Sequence, residues 1–315
     1  MNIKDNIVVC SRSFSRNEKL RTELKSRYKN VTFNDEGLSL KGKSLVKFLK
    51  GHDKAITALE VLDDSVLSQI PDIKVISKYG VGLDMIDLEA MRTHNKRLGW
   101  KGGVNRRSVS ELVISFAIAL LRHVPAAHRE VLSGTWQQHL GAQLSGRTVG
   151  IIGCGHVGKD LVPLLNAFGC KVIVNDKKNY SKFYLEHDIS AVSLHDLLTE
   201  SDIVTLHLPL DNSTNNILDE SKLLLMKTNA ILINTARGGL LDELVVKNML
   251  KQKLLAGAAF DVFSEEPPKD EELLKLPNFL VTPHIGGSSV EAVIAMGMAA
   301  IDGLDQNEIP SVTLG

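Results

Sequence analysis

The stretch Thr148–Gly158, TVGIIGCGHVG, decides the fold class of this chain. It opens with a β-branched apolar run and continues through Gly153, Gly155 and Gly158 into an amphipathic segment. A strand that turns through this glycine pattern into a helix is typical of a dinucleotide-binding βαβ unit. The first glycine permits a tight turn, the second lets a pyrophosphate approach the backbone, and the third lets helix and strand pack closely.

An acid lies where such a unit needs one. Asp176 follows Gly153 by 23 positions and comes directly after a second predicted strand, Lys171–Asn175. Its carboxylate would accept hydrogen bonds from ribose hydroxyls and repel a 2′-phosphate, so the pattern favours NAD over NADP. Lys177 and Lys178 follow and weaken that preference slightly. The competing interpretation is a glycine-rich turn that binds no ligand.

Short β-branched runs alternate with longer amphipathic segments, such as Lys159–Phe168 and Asp242–Gln252, along the whole chain. This alternation predicts βαβ units and parallel sheets covered by helices on both faces. Eight or more strands in 315 residues favour two sheets and therefore two domains. The predicted strands are Ile7–Cys10, Ala55–Leu59, Ile73–Ser77, Thr148–Ile152, Lys171–Asn175, Ile203–His207, Ala230–Asn234, Phe279–Thr282 and the apolar start of Ala258–Pro268.

Two Ser-x-x-Glu patterns predict the starts of long helices. Ser108–Glu111 would open a helix that runs to about His123, and Ser288–Glu291 one that runs to about Leu304. In each capping box the serine hydroxyl would accept from the third amide of the helix, while the glutamate reaches back to the serine amide.

A glycine pair precedes each of these helices, at Gly102–Gly103 and at Gly286–Gly287. Because glycine absorbs large backbone changes, both pairs are candidate hinges. The chain would then leave a first domain and return to it. We predict a discontinuous substrate domain, residues 1–102 plus 287–315, around an NAD-binding Rossmann domain, residues 103–286.

Composition excludes several classes of function. Hydrophobic residues make up 43% of the chain and charged residues 23%, and the formal net charge is zero. This balance argues against nucleic-acid or membrane-surface binding driven by bulk charge. The longest apolar run, Leu112–Leu121, is too short to span a bilayer.

The three cysteines, Cys10, Cys154 and Cys170, form no Cys-x-x-Cys pair. A disulfide framework and a metal site are therefore not expected, and a reducing compartment fits. The start of the chain carries Lys4 and Asp5 and only a four-residue apolar run, which does not fit a secretion signal. We expect a cytoplasmic protein.

Three reactive side chains follow predicted strands. Arg237 lies in ILINTARGG, the acids Glu265 and Glu266 in AAFDVFSEEPP, and His284 in VTPHIGG. Taken singly, each is commonly structural: a surface ion pair, a solvated turn, an exposed histidine. Open parallel sheets bind ligands beyond the carboxyl ends of their strands, so three such residues together predict a site.

Seven stretches match one known family. On these motifs the chain resembles, over nearly its whole length, the D-isomer-specific 2-hydroxyacid dehydrogenases, especially the phosphoglycerate-dehydrogenase-like branch. The resemblance implies two Rossmann/flavodoxin-like doubly wound parallel-sheet domains with the active-site cleft between them. The stretches are Val75–Asp87, Asn105–Glu111, the glycine fingerprint with Asp176, Leu206–Leu210 (LHLPL), Asn234–Gly239, Asp261–Pro267 and Thr282–Gly287.

The resemblance also implies an activity: NAD-dependent hydride transfer that interconverts a D-2-hydroxy acid and its 2-oxo acid. Its catalytic residues fall on Arg237, His284 and Glu266, the acid directly before the first proline. Asp261 would face the nicotinamide amide. Its substrate-binding residues fall on Gly80, Val81, Gly82 and Asn105. Its cofactor-binding residues fall on Gly153, Gly155, His156, Val157, Gly158, Asp176, Leu208, Thr235, Ala236, Asp261 and Gly286.

The chain departs from the family pattern at three places. Trp100–Gly103 replaces the usual Asn-Thr-Pro-Gly ahead of the long helix. Ala58–Glu60 stands where some phosphoglycerate enzymes carry an arginine, so phosphoglycerate itself is not assumed. Val81 is apolar where phosphite-oxidising relatives carry a lysine, so phosphite is not expected as a substrate.

Two further expectations follow from the resemblance. The family usually forms homodimers through the nucleotide-binding domain, and Leu112–Leu121 is either a candidate contact or simply intradomain core. The alternative function is that of a non-catalytic NAD(H)-sensing protein of the corepressor type, which keeps the same three catalytic side chains. The expected partner is a small 2-hydroxy or 2-oxo acid, with no nucleic acid and no membrane.

Overall fold

A computed structural model of the protein describes residues 5–311. Residues 1–4, including Lys4 of the predicted non-secretory start, and residues 312–315, the end of the predicted substrate domain, lie outside them. The described residues form two compact units: one holds those up to Asn105 and those from Val290 onward, the other Arg106–Ser289. The predicted boundaries, after residues 102 and 286, lie three residues earlier.

The elements alternate between strand and helix. Up to Asn105 they are β1 (Asn6–Val9), α1 (Arg12–Arg16), α2 (Glu18–Arg27), β2 (Asn30–Phe33), α3 (Gly42–Leu49), β3 (Lys54–Thr57), α4 (Asp64–Leu67), β4 (Val75–Lys78), α5 (Leu88–Thr93) and β5 (Arg97–Gly99). The second unit has α6 (Arg106–Leu121), α7 (Val124–Leu132), β6 (Thr148–Ile152), α8 (His156–Ala167), β7 (Lys171–Asn175), α9 (Ser181–Glu186), β8 (Ser190–Ala191), α10 (Leu194–Glu200), β9 (Ile203–Leu206), α11 (Glu220–Leu223), β10 (Ile231–Asn234), α12 (Glu243–Lys251), β11 (Gly257–Phe260), α13 (Glu271–Lys275) and β12 (Phe279–Val281). The last element, α14 (Val290–Gly303), belongs to the first unit.

The sheet of the first unit is parallel throughout, in the order β2-β1-β3-β4-β5. Alternate side chains of a strand point to opposite faces. Ile7, Val9 and Ile56 enter one core cluster and Val8 and Ala55 the other. Both faces are therefore covered, which explains the continuous apolar runs of β1 and β3. This strand order is the flavodoxin-like doubly wound order.

Helix α14 closes the first unit by packing on β4 and β5. The hydroxyl of Ser77 donates to the carbonyl of Ala300 over 2.6 Å. A Cβ built on Gly99 would lie 2.1 Å from the carbonyl oxygen of Gly303, and one on Gly297 would lie 2.3 Å from Leu20 Cδ1. Glycine at these positions allows the helix to approach the strand and its neighbouring helix closely.

The sheet of the second unit is also parallel, in the order β12-β11-β10-β9-β6-β7-β8. Strand β6 lies between β7 and β9, so the order along the sheet reverses beside β6. That reversal is the switch point at which doubly wound sheets bind ligands beyond the carboxyl ends of their strands. The predicted fold class, two α/β units with doubly wound parallel sheets, is confirmed.

The two predicted capping boxes are wrong. Helix α6 begins at Arg106, so Ser108 lies inside the first turn rather than at its cap. Its start is tied instead to α8, because Arg107 Nε pairs with Asp160 Oδ2 over 2.9 Å. Helix α14 begins at Val290, which leaves Ser288 two residues ahead of it.

Helix α6 is mainly a core element. Val113, Phe116 and Leu120 are buried in the cluster that packs on the second sheet. The Leu112–Leu121 run is therefore largely intradomain core. No single helix in residues 5–311 is long and apolar enough to cross a membrane; α6 and α7 reach that length and apolar composition only as a pair, with a 62° bend between them.

Candidate functional site

The turn from β6 into α8 has the geometry that a bound pyrophosphate needs. Gly153 has a φ of +98°, and a Cβ on it would lie 2.5 Å from the carbonyl oxygen of His207. A Cβ on Gly158 would lie 2.3 Å from the carbonyl oxygen of Gly153. A Cβ on Gly155, by contrast, meets no heavy atom within 4 Å in the described part of the chain. The backbone is thus crowded at the first and third glycines and open at the second.

Helix α8 starts directly at this opening. Its N-cap is Gly155, which has no side chain to occupy the amides of the first turn. His156 is exposed and Val157 is half-buried at the start of the helix. Such amides, with the positive end of the helix dipole, bind phosphate groups. The residues present therefore fit a dinucleotide pyrophosphate.

Asp176 lies immediately after β7, beside the same turn. Its Oδ2 accepts from the amide of Cys154 and its Oδ1 from the amide of Lys178, each over 2.7 Å. Two backbone donors therefore fix the carboxylate in place. Each oxygen keeps a further lone pair that can accept a ribose hydroxyl.

Residues after β9 and β10 complete this edge of the sheet. A Cβ on Gly153 would lie 2.9 Å from Leu208 Cδ2, so Leu208 packs against the glycine turn. Thr235 is buried, and its hydroxyl has no hydrogen-bond partner within residues 5–311. A buried hydroxyl without a partner fits a site that a ligand completes. Ala236, next to it, is half-buried.

His207 is a residue of this edge that the sequence reasoning did not single out. Its Nε2 lies 3.0 Å from the hydroxyl of Thr205. Burial lowers the pKa of His207 to about 3, because desolvation disfavours the imidazolium. A lone histidine between leucines gives no sequence signal of its own. The structure places it, uncharged at neutral pH, behind the glycine turn.

Arg237 is presented by a tight turn that follows β10. The buried side chain of Asn234 holds this turn, since its Nδ2 donates to the carbonyl of Arg237 over 2.8 Å and its Oδ1 accepts from the amide of Ala236 over 3.1 Å. The guanidinium Nη1 donates to the carbonyl of Ala236 over 2.6 Å. Gly239, with a φ of +79°, completes the turn.

His284 and Glu266 meet at the ends of β12 and β11. His284 Nδ1 lies 2.9 Å from Glu266 Oε2 and 3.2 Å from Oε1. Glu266 Oε1 also accepts from the amide of Phe263 over 3.1 Å. The neighbouring Glu265 instead pairs with Lys269 in solvent. With Nδ1 facing the carboxylate, Nε2 is the ring nitrogen left for a substrate.

Asp261 holds the turn that carries His284. The buried carboxylate accepts from the amides of Ile285 and Gly286, each over 2.7 Å, and from the hydroxyl of Thr282. Its carbonyl accepts from the amide of His284 over 2.9 Å. His284 adopts a positive φ of 54°, which this set of bonds stabilises. The predicted contact of Asp261 with the nicotinamide amide stays a prediction.

The predicted substrate residues lie in the first unit. Gly80, Val81 and Gly82 follow β4, and Gly80 has a φ of +125°. The indole of Trp100 donates to the carbonyl of Val81 over 3.0 Å. The tryptophan that departs from the family pattern therefore supports this loop. Asn105 is the last residue of the amino-terminal part of the unit.

No group of three or more His, Cys, Asp or Glu side chains within residues 5–311 is arranged to hold a metal ion. The polar groups of the site are instead backbone amides, carboxylates, one guanidinium and one imidazole. Such a set suits a phosphate-bearing organic cofactor and a carboxylate substrate.

Comparisons with known proteins agree with this geometry. The model of the NAD binding domain of the D-isomer specific 2-hydroxyacid dehydrogenases matches residues 114–286. A glyoxylate reductase of Thermococcus litoralis is 35% identical over 258 residues, which cover 79% of this chain and 78% of that protein. A D-3-phosphoglycerate dehydrogenase of Methanocaldococcus jannaschii is 37% identical over 235 residues, which cover 74% of this chain but only 45% of that protein.

The fold is similarly matched by solved structures. A Polaromonas protein, proposed to be an NAD-binding D-isomer specific 2-hydroxyacid dehydrogenase, superposes with a TM-score of 0.87 at 27% identity. The match covers 96% of this chain and 95% of that one.

Proposed function

The chain belongs to the D-isomer specific 2-hydroxyacid dehydrogenases, a family of NAD-dependent oxidoreductases, and from that premise we propose that it reduces a small 2-oxo acid with an uncharged tail. Glyoxylate is the first candidate. The contact between His284 Nδ1 and Glu266 Oε2, at 2.9 Å, carries the proposal, because it prepares the other ring nitrogen for proton transfer.

Reduction of a 2-oxo acid requires that the carboxylate be held, the carbonyl polarised and a proton delivered. Arg237 offers a planar fork for the carboxylate and the carbonyl oxygen. Protonated His284 donates to that oxygen as it becomes a hydroxyl, and neutral His284 accepts the proton in the reverse direction. Glu266 orients the ring and stabilises the imidazolium. When bound, NADH supplies the hydride.

The cofactor would be held by the second unit. The amides at the start of α8 would receive the pyrophosphate, Asp176 the adenosine ribose, and the Thr235 hydroxyl a polar group of the cofactor. Because a fixed carboxylate repels a 2′-phosphate, NADH is preferred to NADPH in this proposal. The Gly80–Gly82 amides and Asn105 stay predicted contacts of the substrate carboxylate.

Two observations support an uncharged substrate tail. Glu60 places a carboxylate on the amide of Ala58, 2.6 Å away, in the segment where an anion-binding arginine would be needed for a phosphorylated substrate. The second observation is the match to a glyoxylate reductase, at 35% identity over 79% of this chain and 78% of that protein. A negative charge in that segment disfavours a second anionic group on the substrate.

The test is oxidation of NADH with glyoxylate, hydroxypyruvate, pyruvate and 3-phosphohydroxypyruvate. We expect kcat/KM for glyoxylate or hydroxypyruvate to exceed that for the phosphorylated acid by about 10-fold or more, equivalent to about 1.4 kcal/mol. A preference for the phosphorylated acid would instead assign the phosphoglycerate-type activity. NADH binding without turnover of any of these acids would favour the NAD-sensing alternative.

We further propose a homodimer formed through the second unit. Helix α7 and the segment after it expose large apolar side chains: Val124, Val131, Leu132, Trp136 at 86% and Leu140 at 98%. A concentration of exposed large apolar side chains in one segment is typical of a protein interface. Light scattering should give twice the mass of the 34.5 kDa chain. Trp136→Lys should shift the protein towards the monomer.

A cytoplasmic location remains part of the proposal. All three cysteines are buried and free. Free thiols fit a reducing compartment.

A further inference from the structure

The peptide between Phe263 and Ser264 lies where the arginine turn meets the loop of Glu266. A Cβ built on Gly238 would lie 2.0 Å from the carbonyl carbon of Phe263 and 2.3 Å from the amide nitrogen of Ser264. The residue after Arg237 therefore packs backbone to backbone on this peptide. The amide of Phe263, which belongs to the preceding peptide, donates to Glu266 Oε1 over 3.1 Å. The position of Phe263, which these two peptides share, thus affects two of the three proposed catalytic side chains.

The peptide is held from two sides. The buried ring of Phe263 packs edge-on against Phe260 and Phe279, with ring centroids 5.9 and 6.3 Å apart. On its other side the peptide is held by hydrogen bonds to Glu243, in the first turn of α12. Its Oε1 accepts from the amide of Ser264 over 2.7 Å and from the hydroxyl of Ser264 over 2.8 Å.

We propose that Glu243 is a positioning residue for the reduction: it fixes the Phe263–Ser264 peptide, and through the backbone of Phe263 it sets Glu266 against His284. This inference rests on the catalytic roles proposed above. Glu243 contacts neither Glu266 nor His284 in the contacts described, so its effect is transmitted by backbone alone. Small displacements of a catalytic group by a remote change are costly, because reacting atoms must be held in near-attack geometry.

Two variants of Glu243 separate the loss of its acceptor oxygen from the loss of its charge. Both bonds end on the same atom, Glu243 Oε1, and a glutamine keeps an oxygen there with two lone pairs. Glu243→Gln should therefore keep the peptide in place, whereas Glu243→Ala should release it. The matched control is Glu271→Ala, which removes an exposed first-turn glutamate of α13 whose pair is the surface residue Lys275. It controls for loss of a charge that interacts with a helix dipole.

Three quantities are measured on the full chain with glyoxylate, or with the best 2-oxo acid of the panel. We expect Glu243→Ala to lower kcat by about 10-fold while KM for the acid and Kd for NADH change by less than about 2-fold, since the lost interaction orients an acid rather than binding a ligand. Glu243→Gln should retain at least about half of kcat. Glu271→Ala should match the unmodified protein in all three.

A second readout does not depend on activity. The Nδ1 nitrogen resonance of His284 in labelled protein reports its bond to Glu266, and its loss in His284→Gln assigns it. We expect this resonance to move in Glu243→Ala and to stay in place in Glu243→Gln and Glu271→Ala. If the unmodified protein reduces no 2-oxo acid, the proposed function fails, but this measurement still decides the positioning role.

Two results would overturn the inference. An unmoved His284 resonance in Glu243→Ala, with kcat within about 2-fold, would mean that the aromatic packing alone holds the peptide. Equal losses in the alanine and glutamine variants would mean that the charge of Glu243, and not its acceptor oxygen, is what counts.

Discussion

The Nδ1 atom of His284 lies 2.9 Å from Oε2 of Glu266, while the adjacent Glu265 turns away to pair with Lys269. The backbone therefore directs two neighbouring acids to different partners: Glu266 to the histidine and Glu265 to a surface lysine. Glu266 is also tied to the amide of Phe263, which aims it at the histidine turn. The exposed Glu265 pair is of the surface type that contributes little to stability.

This separation predicts a contrast between two isosteric changes. Glu266→Gln should lower kcat for reduction by about 10-fold or more, because the imidazolium loses its carboxylate partner. Glu265→Gln, one position away, should leave kcat within about 2-fold. Steady-state kinetics on both variants checks the contrast. Equal effects on kcat would mean that both acids only solvate a surface turn.

Arg237 is expected to serve both binding and turnover. Arg237→Ala should reduce kcat/KM by about 10²-fold or more, since the guanidinium would hold the ground-state carboxylate and the developing charge. Arg92→Ala, which changes an exposed arginine of α5 in the other unit, is the control. A folded Arg237→Ala protein that loses less than about 5-fold would make Arg237 a structural residue.

Asp176 should set the cofactor preference. The unmodified protein is expected to use NADH with a kcat/KM about 10-fold or more above that for NADPH, a difference of about 1.4 kcal/mol. Asp176→Asn removes the repelling charge and should narrow this ratio. Glu186→Gln, in the exposed i,i+4 pair of α9, should not change it. Comparable values for the two cofactors in the unmodified protein would contradict the assignment.

His207 should make the fold acid-sensitive. Its pKa is lowered from 6.5 to about 3 by burial, so the unfolded chain takes up a proton near pH 6.5 that the folded chain takes up only near pH 3. Stability is therefore lost as the pH falls through this window, by up to about 2 kcal/mol at pH 5. Denaturant titrations at pH 7 and pH 5 should show a smaller loss for His207→Gln. The exposed His195→Gln should behave like the unmodified protein.

The fold was predictable from the sequence where a segment is buried on both faces. The runs of β6, β7, β9 and β10 are continuous and apolar, and their predicted ranges differ from the observed ones by one residue at most. Strands β2, β5 and β8 were not predicted. All three lie at the edges of their sheets, and β8 is only two exposed residues long. Short, partly exposed strands lack the hydrophobic pattern on which such predictions depend.

The candidate site was predictable only where reactive side chains follow apolar strand runs. Arg237, Glu266 and His284 follow apolar runs, and the ends of neighbouring parallel strands share one edge of a sheet. The contact of Glu243 with Ser264, 21 positions away, depends on how α12 packs beside β11. No local pattern encodes it. Capping boxes mislead for a similar reason, since α6 begins ahead of Ser108 and α14 begins after Ser288, at starts that the local pattern does not encode.

During translation, the second unit, Arg106–Ser289, is synthesised completely before the first unit is, because the first unit contains both ends of the described chain. Helix α14, which covers β4 and β5 and packs against Leu20, is made after all of Arg106–Ser289. Until it emerges, the first sheet has strands but lacks part of its cover, so its apolar face is open to solvent and to chaperones. The contiguous second unit has every element it needs earlier. Co-translational folding should therefore run from the middle of the chain outward, against the order of translation.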